Sequence, residues 1–501
     1  MTSEPPAPTL LELLHAAPGA HTAIVLPESG VRVTYDDLRA QVMDATRALA
    51  ALGVERGDRV ALALPNGLPA IVCFLAASVA GTAAPLNPAS REHEFAFYLE
   101  DTSARLLILP PDGAAEARRA AGSRCPAVTV RTDAAGRIRV DAPQRSAPVF
   151  PPAADDVALV LHTSGSTGLP KRVPLTHENL GVSARNITAT YALSPVDTSL
   201  CVMPLFHVHG LVASVLSTLL AGGTVVVPPR FNPLGFWRTV RDHRVTWYSA
   251  VPTIHQVLLG RRGNGRPAGA EHLRFIRSCS AALSTEVMAK LESDFGVPVL
   301  EAYGMTEAAH QMASNLPPPE RRKPGTVGVG TGVQISVMDG AGRHLEASQA
   351  GEVVTKGPNV TRGYENDPQA NASAFTDGWF RTGDQGLIDP DGYLRLVGRI
   401  KELINRGGEK IAPLEIDEVL RAHPAVLEAV SFGVPDVTWG EEVAAAVVLQ
   451  ANATEADLVR HCRERIADFK CPKTIHIVDS IPRTATGKIQ RRQVAATFSG
   501  D

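Results

Sequence analysis

Two successive alternations of helix and strand signals fix the kind of fold open to this chain. In the first, residues 34–52 carry Leu38, Val42, Ala45, Leu49 and Leu52 at helical spacing, with Thr34 and Asp37 as a capping pair and Gly53 as the stop. An apolar helix is expected at 68–80, and strands at 58–64, 82–86, 104–109 and 127–130. In the second, strands are expected at 198–203, 224–227, 245–250, 275–280 and 299–303, with helices at 210–220, 233–242 and 285–295. Strands that alternate with helices pair in parallel, because a parallel neighbour is reached only by a crossover. Two such series imply two doubly wound α/β layers, with a ligand at the carboxyl ends of their strands. Over 325–399 helices nearly vanish, and short strands broken by Gly and Asp imply a small antiparallel β-barrel. Beyond Arg399, helix signals at 413–421 and 455–467 and strand signals at 429–434, 444–449 and 474–478 make a compact α+β domain.

The chain has 501 residues, too many for one core, and a formal charge of -3, which offers no broad field for nucleic acid or an anionic membrane. Cys73, Cys125, Cys201, Cys279, Cys462 and Cys471 are scattered without C-x-x-C spacing, which argues against a disulfide framework or a zinc site and for a reducing cytoplasm. The uncharged runs 61–90 and 200–229 are long enough to span a bilayer, but Pro65, Pro69, Gly81 and Pro85 break the first, and Gly222, Gly223 and two histidines the second. Both are expected as buried helix plus strand. The first residues lack a basic stretch ahead of an apolar core, so no signal peptide is expected, and the closing F-S-G-D is not a peroxisomal address.

Between the two alternations lies the stretch 161–180, L-H-T-S-G-S-T-G-L-P-K-R-V-P-L-T-H-E-N-L. An apolar run at 156–161 leads into it and a helical pattern is expected beyond Pro174, so 163–171 is expected as a loop at a strand's carboxyl end. Gly165 and Gly168 let a ligand approach the backbone, Ser164, Ser166 and Thr167 offer hydroxyls, and Lys171 a point charge, which together suit the phosphates of a nucleotide. A solvated loop has the same composition. The spacing also differs from the common P-loop, which needs its lysine directly after a glycine.

Four further stretches join it: L-E-A-Y-G-M-T-E at 300–307, G-W-F-R-T-G-D at 378–384, G-R-I-K-E-L-I-N-R-G-G-E-K-I at 398–411 and P-R-T-A-T-G-K at 482–488. In this order the set closely resembles the adenylate-forming superfamily of acyl-CoA synthetases, firefly luciferase and peptide-synthetase adenylation domains, over nearly the whole chain from about Thr34. The resemblance implies that a carboxylate attacks the α-phosphate of ATP, releasing pyrophosphate, and that the thiol of CoA then displaces AMP. It assigns the phosphates to Thr163, Ser164, Gly165, Ser166, Thr167, Gly168 and Lys171, the α-phosphate to Thr306, and Mg²⁺ to Glu307. The adenine falls to Tyr303 with its neighbours Ala302 and Gly304, and to Ser280, Ala281 and Ala282; the ribose falls to Asp384, with Arg399 nearby. Lys488 would bridge the substrate carboxylate and the α-phosphate. Arg172 stands where relatives usually have glycine. The implied architecture is an N-terminal domain over 1–398, a hinge at 399–402 and a mobile lid over 403–501. Rotation at Lys401 would withdraw Lys488 and bring Gly407 and Gly408 to the site for thioester formation.

The acyl pocket is expected from F-H-V-H-G at 206–210, V-P-T-I-H at 251–255, S-C-S at 278–280 and A-A-H at 308–310. His207, His209, Ser280 and His310 offer hydrogen-bonding groups where a fatty acid would need an apolar tunnel, which suits a very small acid with a second carboxylate. His207 is also expected to gate thiol entry. The local pattern is most similar to oxalate:CoA ligases; malonyl-CoA synthetases share the His-Val-His-Gly segment but typically have an arginine where this chain has Ala302. Loading of a carrier protein and a catalytically idle nucleotide sensor are the other readings. A monomer or homodimer is expected.

Overall fold

In the computed structural model the described residues are 9–15, 17–144, 147–163, 170–263, 265–484 and 487–498. Their strands pair into four sheets, two of them large and mainly parallel. The seven-stranded sheet runs in the order Ile138–Val140, Ala127–Thr132, Leu106–Leu109, Arg59–Leu62, Thr82–Pro85, Val157–Thr163, Lys171–Thr176. Its five inner strands are parallel and its two edges antiparallel. The nine-stranded sheet runs Val329–Gly330, His310–Ser314, Val299–Met305, Phe275–Ser278, Trp247–Ala250, Thr198–Leu200, Thr224–Val226, Thr22–Leu26, Val31–Thr34, with parallel pairing from Val299–Met305 through to Thr22–Leu26. These are the two doubly wound layers expected from the alternations, with one addition. The hairpin at 22–34 precedes the first alternation yet pairs with the second sheet through Val25 and Val226, so it stitches the layers together.

Helix Tyr35–Ala51 follows that hairpin, capped by Thr34, whose hydroxyl accepts from the Asp37 N–H. Its first residue is fully buried and directs its hydroxyl to the carbonyls of Leu219 and Gly223, 3.1 and 2.8 Å away. Helix Leu68–Ala80 is buried nearly all round, as its unbroken apolar sequence demands. One large apolar cluster runs between the layers and joins Leu38, Phe74 and Leu211 to Trp247. Among the described residues no helix is long and apolar enough to cross a membrane.

Several expectations change. The helix expected beyond Pro174 begins at His177, and before it 171–176 is a strand that was not anticipated: Val173 and Leu175 alternate inward, and Pro174 is tolerated because this is an edge strand needing no outward N–H partner. Thr176 then caps helix His177–Thr190. The helix expected at 210–220 begins at His209 and is a π-helix over His209–Leu216 before Ser217–Leu220 turns α. Close packing fixes its start, since a Cβ on Gly210 would lie 2.3 Å from the Pro204 carbonyl oxygen. Helices Glu92–Asp101 and Pro252–Gly260 were not anticipated, and the helix expected at 455–467 stops at Arg463. The expected small barrel is hydrogen-bonded as an open antiparallel path, Gln334–Met338, Gly351–Lys356, Trp379–Ile388, Phe375–Thr376, with Leu394–Arg399 also on Trp379–Ile388.

After the turn Ile400–Glu402 the chain builds a last sheet around the long hairpin Val426–Asp436 and Gly440–Leu449, flanked by Ile404–Arg406, Glu409–Ile411 and the parallel strand Thr474–Ile477. Helices Pro413–Arg421 and Glu455–Arg463 cover one face over Ile404, Ile416, Val443 and Leu458, and Arg491–Phe498 covers the other over Phe432 and Val494.

Candidate functional site

The hairpin that was expected to hold phosphates is closed at its base by Thr163 paired with Lys171. Ser164, Gly165, Ser166, Thr167 and Gly168 lie outside the described residues. The Lys171 ammonium sits 4.6 Å over the ring of Tyr364, whose hydroxyl donates to Glu307 Oε1 at 2.9 Å. One tyrosine thus ties the hairpin lysine to the Thr306–Ala308 turn, where Thr306 and Glu307 are both buried. Burial pushes the Glu307 carboxyl above the ordinary carboxylate range. Tyr364 was missed because a lone Tyr in the turn T-R-G-Y-E carries no periodic signal. Arg172 anchors the hairpin to what lies behind it: its guanidinium is 3.3 Å from Asp101, donates to the Asp101 carbonyl and lies 3.9 Å from Glu365, while its own carbonyl accepts from the Glu365 N–H at 3.1 Å.

Asp384 lies on strand Trp379–Ile388, whose burial alternates, and its carboxylate points inward. The Tyr303 hydroxyl donates to Oδ2, and Arg399, its cross-strand partner, lies 2.8 Å from Oδ1. Burial raises the Asp384 carboxyl despite that guanidinium, and burial with the Asp384 charge pushes the Tyr303 phenol well up. Gly304 sits at a shift of strand register where a Cβ would fall 1.7 Å from the His310 carbonyl oxygen, so only glycine lets the two strands close. Ala302 pairs with Ser314. A cavity of about 240 Å³ opens beside these groups, lined among others by Ser280, Ala281, Ala282, Asp384, Arg399 and Lys488.

Lys488 reaches this cavity from the C-terminal part of the chain. A tight turn presents it: the Thr484 N–H donates to the Lys488 carbonyl at 2.8 Å and the Gly487 N–H to the Thr484 carbonyl at 2.9 Å. Gly487, at φ +84°, lies so near Val251 and Thr253 that a Cβ would be 3.2 and 3.3 Å from their side chains. Burial and then the Arg399 charge push the Lys488 ammonium down, opposed by the Asp384 and Glu307 carboxylates. Lys488 lines the cavity with Asp384, and its ammonium is acted on by the Glu307 carboxylate as well.

Beside it lie the residues expected to form the acyl pocket. His209, at the start of the π-helix, is fully buried with Nε2 2.6 Å from Ser249 Oγ and Nδ1 3.0 Å from Ser280 Oγ. Ser280 is held at φ +73°, rare outside glycine, and Ala309 and His310 are also at positive φ; strain of this kind collects at functional sites. The His310 ring packs edge-on against that of His209 at 5.1 Å. His207 is half-buried, its Nδ1 accepting from the His209 N–H at 3.3 Å, and burial with the Lys488 charge lowers it to about 3. Burial and the Arg277 charge push His209 and His310 well down too, so all three rings are neutral. Arg277, also missed, is fully buried behind His310. Its sequence signal, a lone arginine in the strand F-I-R-S, is that of an ordinary surface strand. His255, by contrast, belongs to the core, facing the Tyr248 hydroxyl at 3.4 Å.

Lys401, Gly407 and Gly408 are exposed and do not line the cavity. Gly407 takes φ +58° and lies against the Trp439 ring, while Gly408, at φ +93°, has open space around it. Among the described residues no three His, Cys, Asp or Glu side chains could hold a metal ion together.

Residues 14–365 match the family model described as AMP-binding enzyme, and residues 415–488 match the AMP-binding enzyme C-terminal domain. The chain is 48% identical over 467 residues to an oxalate–CoA ligase of Arabidopsis thaliana, covering 91% of each chain, and 45% identical over 519 aligned positions to an oxalate–CoA ligase of Saccharomyces cerevisiae, covering 96% of this chain and 95% of the other. Among solved structures it resembles the ATP-bound MatB of Rhodopseudomonas palustris, with a TM-score of 0.90, 32% identity and 99% of each chain covered. A matched core over most of its length and a matched C-terminal unit place the chain in the AMP-binding enzyme family.

Proposed function

We propose that this protein is an ATP-dependent acid:CoA ligase whose acid is oxalate. One oxalate oxygen attacks the α-phosphorus of ATP and pyrophosphate leaves; the CoA thiol then attacks the acyl carbon, loses its proton and expels AMP, giving oxalyl-CoA. The observation that carries the reading is the company of Lys488: it lines one cavity with Asp384, Arg399 and Ser280, and Ser280 is hydrogen-bonded to His209, whose ring packs against His310. That arrangement suits a small acid with two polar ends, and the 48% and 45% identical relatives named as oxalate–CoA ligases support it.

In this reading Thr163, Lys171 and the segment 164–168 hold the β- and γ-phosphates, and Thr306 the α-phosphate. Tyr303, its neighbours Ala302 and Gly304, and Ser280, Ala281 and Ala282 pack the adenine, and Asp384 with Arg399 takes the ribose hydroxyls. Glu307, a single buried carboxylate poised by Tyr364, fits a Mg²⁺ held mainly by phosphate oxygens, since the described residues offer no cage of their own. When bound, the ion supplies positive charge that offsets repulsion between carboxylate and triphosphate. Lys488 stabilises the charge that builds on the bridging oxygen. Ser280 and His310 hold the second carboxylate and His207 closes the thiol entrance. We further read 1–398 and 403–501 as two domains turning at 399–402, supported by the separate apolar clusters after Ile404. That turn would exchange Lys488 for Gly407 and Gly408 before the thiol attacks. We place the protein in the cytoplasm as a monomer or homodimer, a compartment in keeping with six free, buried thiols.

The test is product identification: purified protein with ATP, Mg²⁺ and CoA, offered oxalate, malonate, acetate, a medium-chain fatty acid or coumarate. Oxalyl-CoA detected by mass, with the other thioesters at least tenfold lower, supports the proposal. A dominant malonyl or fatty acyl product would replace oxalate in it, and adenylation without any thioester would favour a carrier-protein acceptor.

A further inference from the structure

Arg277 is a buried cation whose side-chain partners are hydroxyl, amide, imidazole and thiol groups rather than carboxylates. Its Nε donates to the Tyr191 hydroxyl at 2.8 Å, Nη1 to Ser249 Oγ at 2.9 Å, and Nη2 to Gln311 Oε1 at 3.0 Å and, more weakly, to His310 Nδ1 at 3.4 Å. Among the described residues no carboxylate is one of its hydrogen-bond partners. A guanidinium keeps its charge at any ordinary pH, and a buried charge without a counter-ion is costly unless something else supplies the anion.

The hydrogen-bond directions say what the charge does. The Arg277 guanidinium can only donate, so Ser249 accepts from it, and the single Ser249 proton has His209 Nε2, at 2.6 Å, as its acceptor. The tautomer that satisfies this fully buried hydroxyl carries the His209 proton on Nδ1, which then donates to Ser280 Oγ at 3.0 Å. Ser280, accepting on its oxygen, is left with a free proton. On the other branch, His310 Nδ1 accepts from Arg277, so its proton sits on Nε2, which has no partner among the described residues. Two separate relays, of three links and of one, thus start at one buried cation and end in two unengaged donors, Ser280 O–H and His310 Nε2–H. Strained backbone at both ends holds them there, φ +73° at Ser280 and +111° at His310.

We propose that Arg277 is a positioning residue that sets the specificity of the acyl pocket: it orients Ser280 and His310 as paired donors and presents an unneutralised positive field to the distal carboxylate of a small dianion. This rests on the oxalate reading, which it deepens. It also answers how a second carboxylate is held where Ala302 leaves no arginine at the pocket wall: the arginine stands one layer further back. Neutral donors in front of a buried cation attract a dianion and give little to a monoanion of the same size.

The experiment compares oxalate with oxamate, in which an amide replaces one carboxylate at unchanged length, in the wild-type, Arg277→Met, Arg277→Lys and Ser249→Ala proteins. For the wild type, kcat/KM should favour oxalate by about 100-fold or more, as expected for a paired buried charge. Arg277→Met should raise the KM for oxalate by about that factor, bring the ratio below about 10, and leave the KM for ATP within about twofold. Arg277→Lys, which keeps the charge, should restore most of the preference. Ser249→Ala, which cuts only the longer relay, should lose part of it, and it decides the matter if Arg277→Met does not fold. A preference that survives in Arg277→Met and Ser249→Ala, with losses shared equally by both acids and by ATP, would make Arg277 a structural strut and overturn the inference. Failure of the wild type to use oxalate would instead sink the substrate reading, and the comparison would move to malonate and its half-amide; with no dianion turned over, both fall.

Discussion

Lys488 lines the same cavity as Asp384 and Ser280, and its charge acts on Glu307 and His207 as well. Replacing it with alanine should lower the rate of adenylation by about 100- to 1,000-fold, the usual loss when a preorganised stabilising group is removed. His310→Ala and Ser280→Ala should act differently, raising the KM for oxalate by about tenfold each while ATP binding stays near wild type, because each removes one donor to the acid. Steady-state kinetics with each substrate varied separates the two patterns. Glu301 gives a residue-scale prediction about stability. It is buried on the strand Val299–Met305, and desolvation raises its carboxyl from 4.5 to about 8. Between those values the folded chain keeps a proton that the unfolded chain has released, so stability is full below about pH 4.5 and falls as the pH rises through 8. Thermal melts of Glu301→Gln should lose less Tm from pH 5 to pH 8 than the wild type, and parallel curves would contradict this.

At the scale of elements, the site depends on two places where backbones touch. Gly304 lets strand Val299–Met305 close on His310–Ser314, and Gly210 lets the π-helix sit on Pro204. Gly304→Ala would push a methyl onto a carbonyl that cannot move without shifting His310, so it should cost about 3 kcal/mol and weaken oxalate binding more than ATP binding. A melt paired with KM values checks both parts. These contacts also mark where the sequence stops being informative. Helices 68–80, 285–295 and 413–421 were legible to the residue because apolar spacing and caps are local. The strand at 171–176 was not, since Pro174 reads as a helix boundary unless its strand is known to be an edge. Arg277 was invisible because its partners come from 191, 249, 310 and 311, four stretches brought together only by the sheet. Tyr364 was hidden for the same reason, its role arising from Lys171 and Glu307 on other elements.

The whole molecule places its cation and its glycines on opposite sides of the Ile400–Glu402 turn's work: Lys488 is in the cavity while Gly407 and Gly408 are outside it. If the C-terminal unit turns between half-reactions, Gly408→Leu should slow thioester formation by about tenfold or more and leave adenylation within about twofold, since that glycine has open space only until a thiol must pass it. Equal loss in both steps would argue against the turn. The layer order, the cavity between the parts and the donors facing it all serve one claim, that this chain activates oxalate with Lys488 before any thiol is present. The most direct measurement of it is oxalate-dependent exchange of labelled pyrophosphate into ATP without CoA. The account predicts rapid exchange with oxalate, little with acetate or a fatty acid, and at least about 100-fold less in Lys488→Ala. Exchange that is indifferent to the acid, or that survives loss of Lys488, would contradict it.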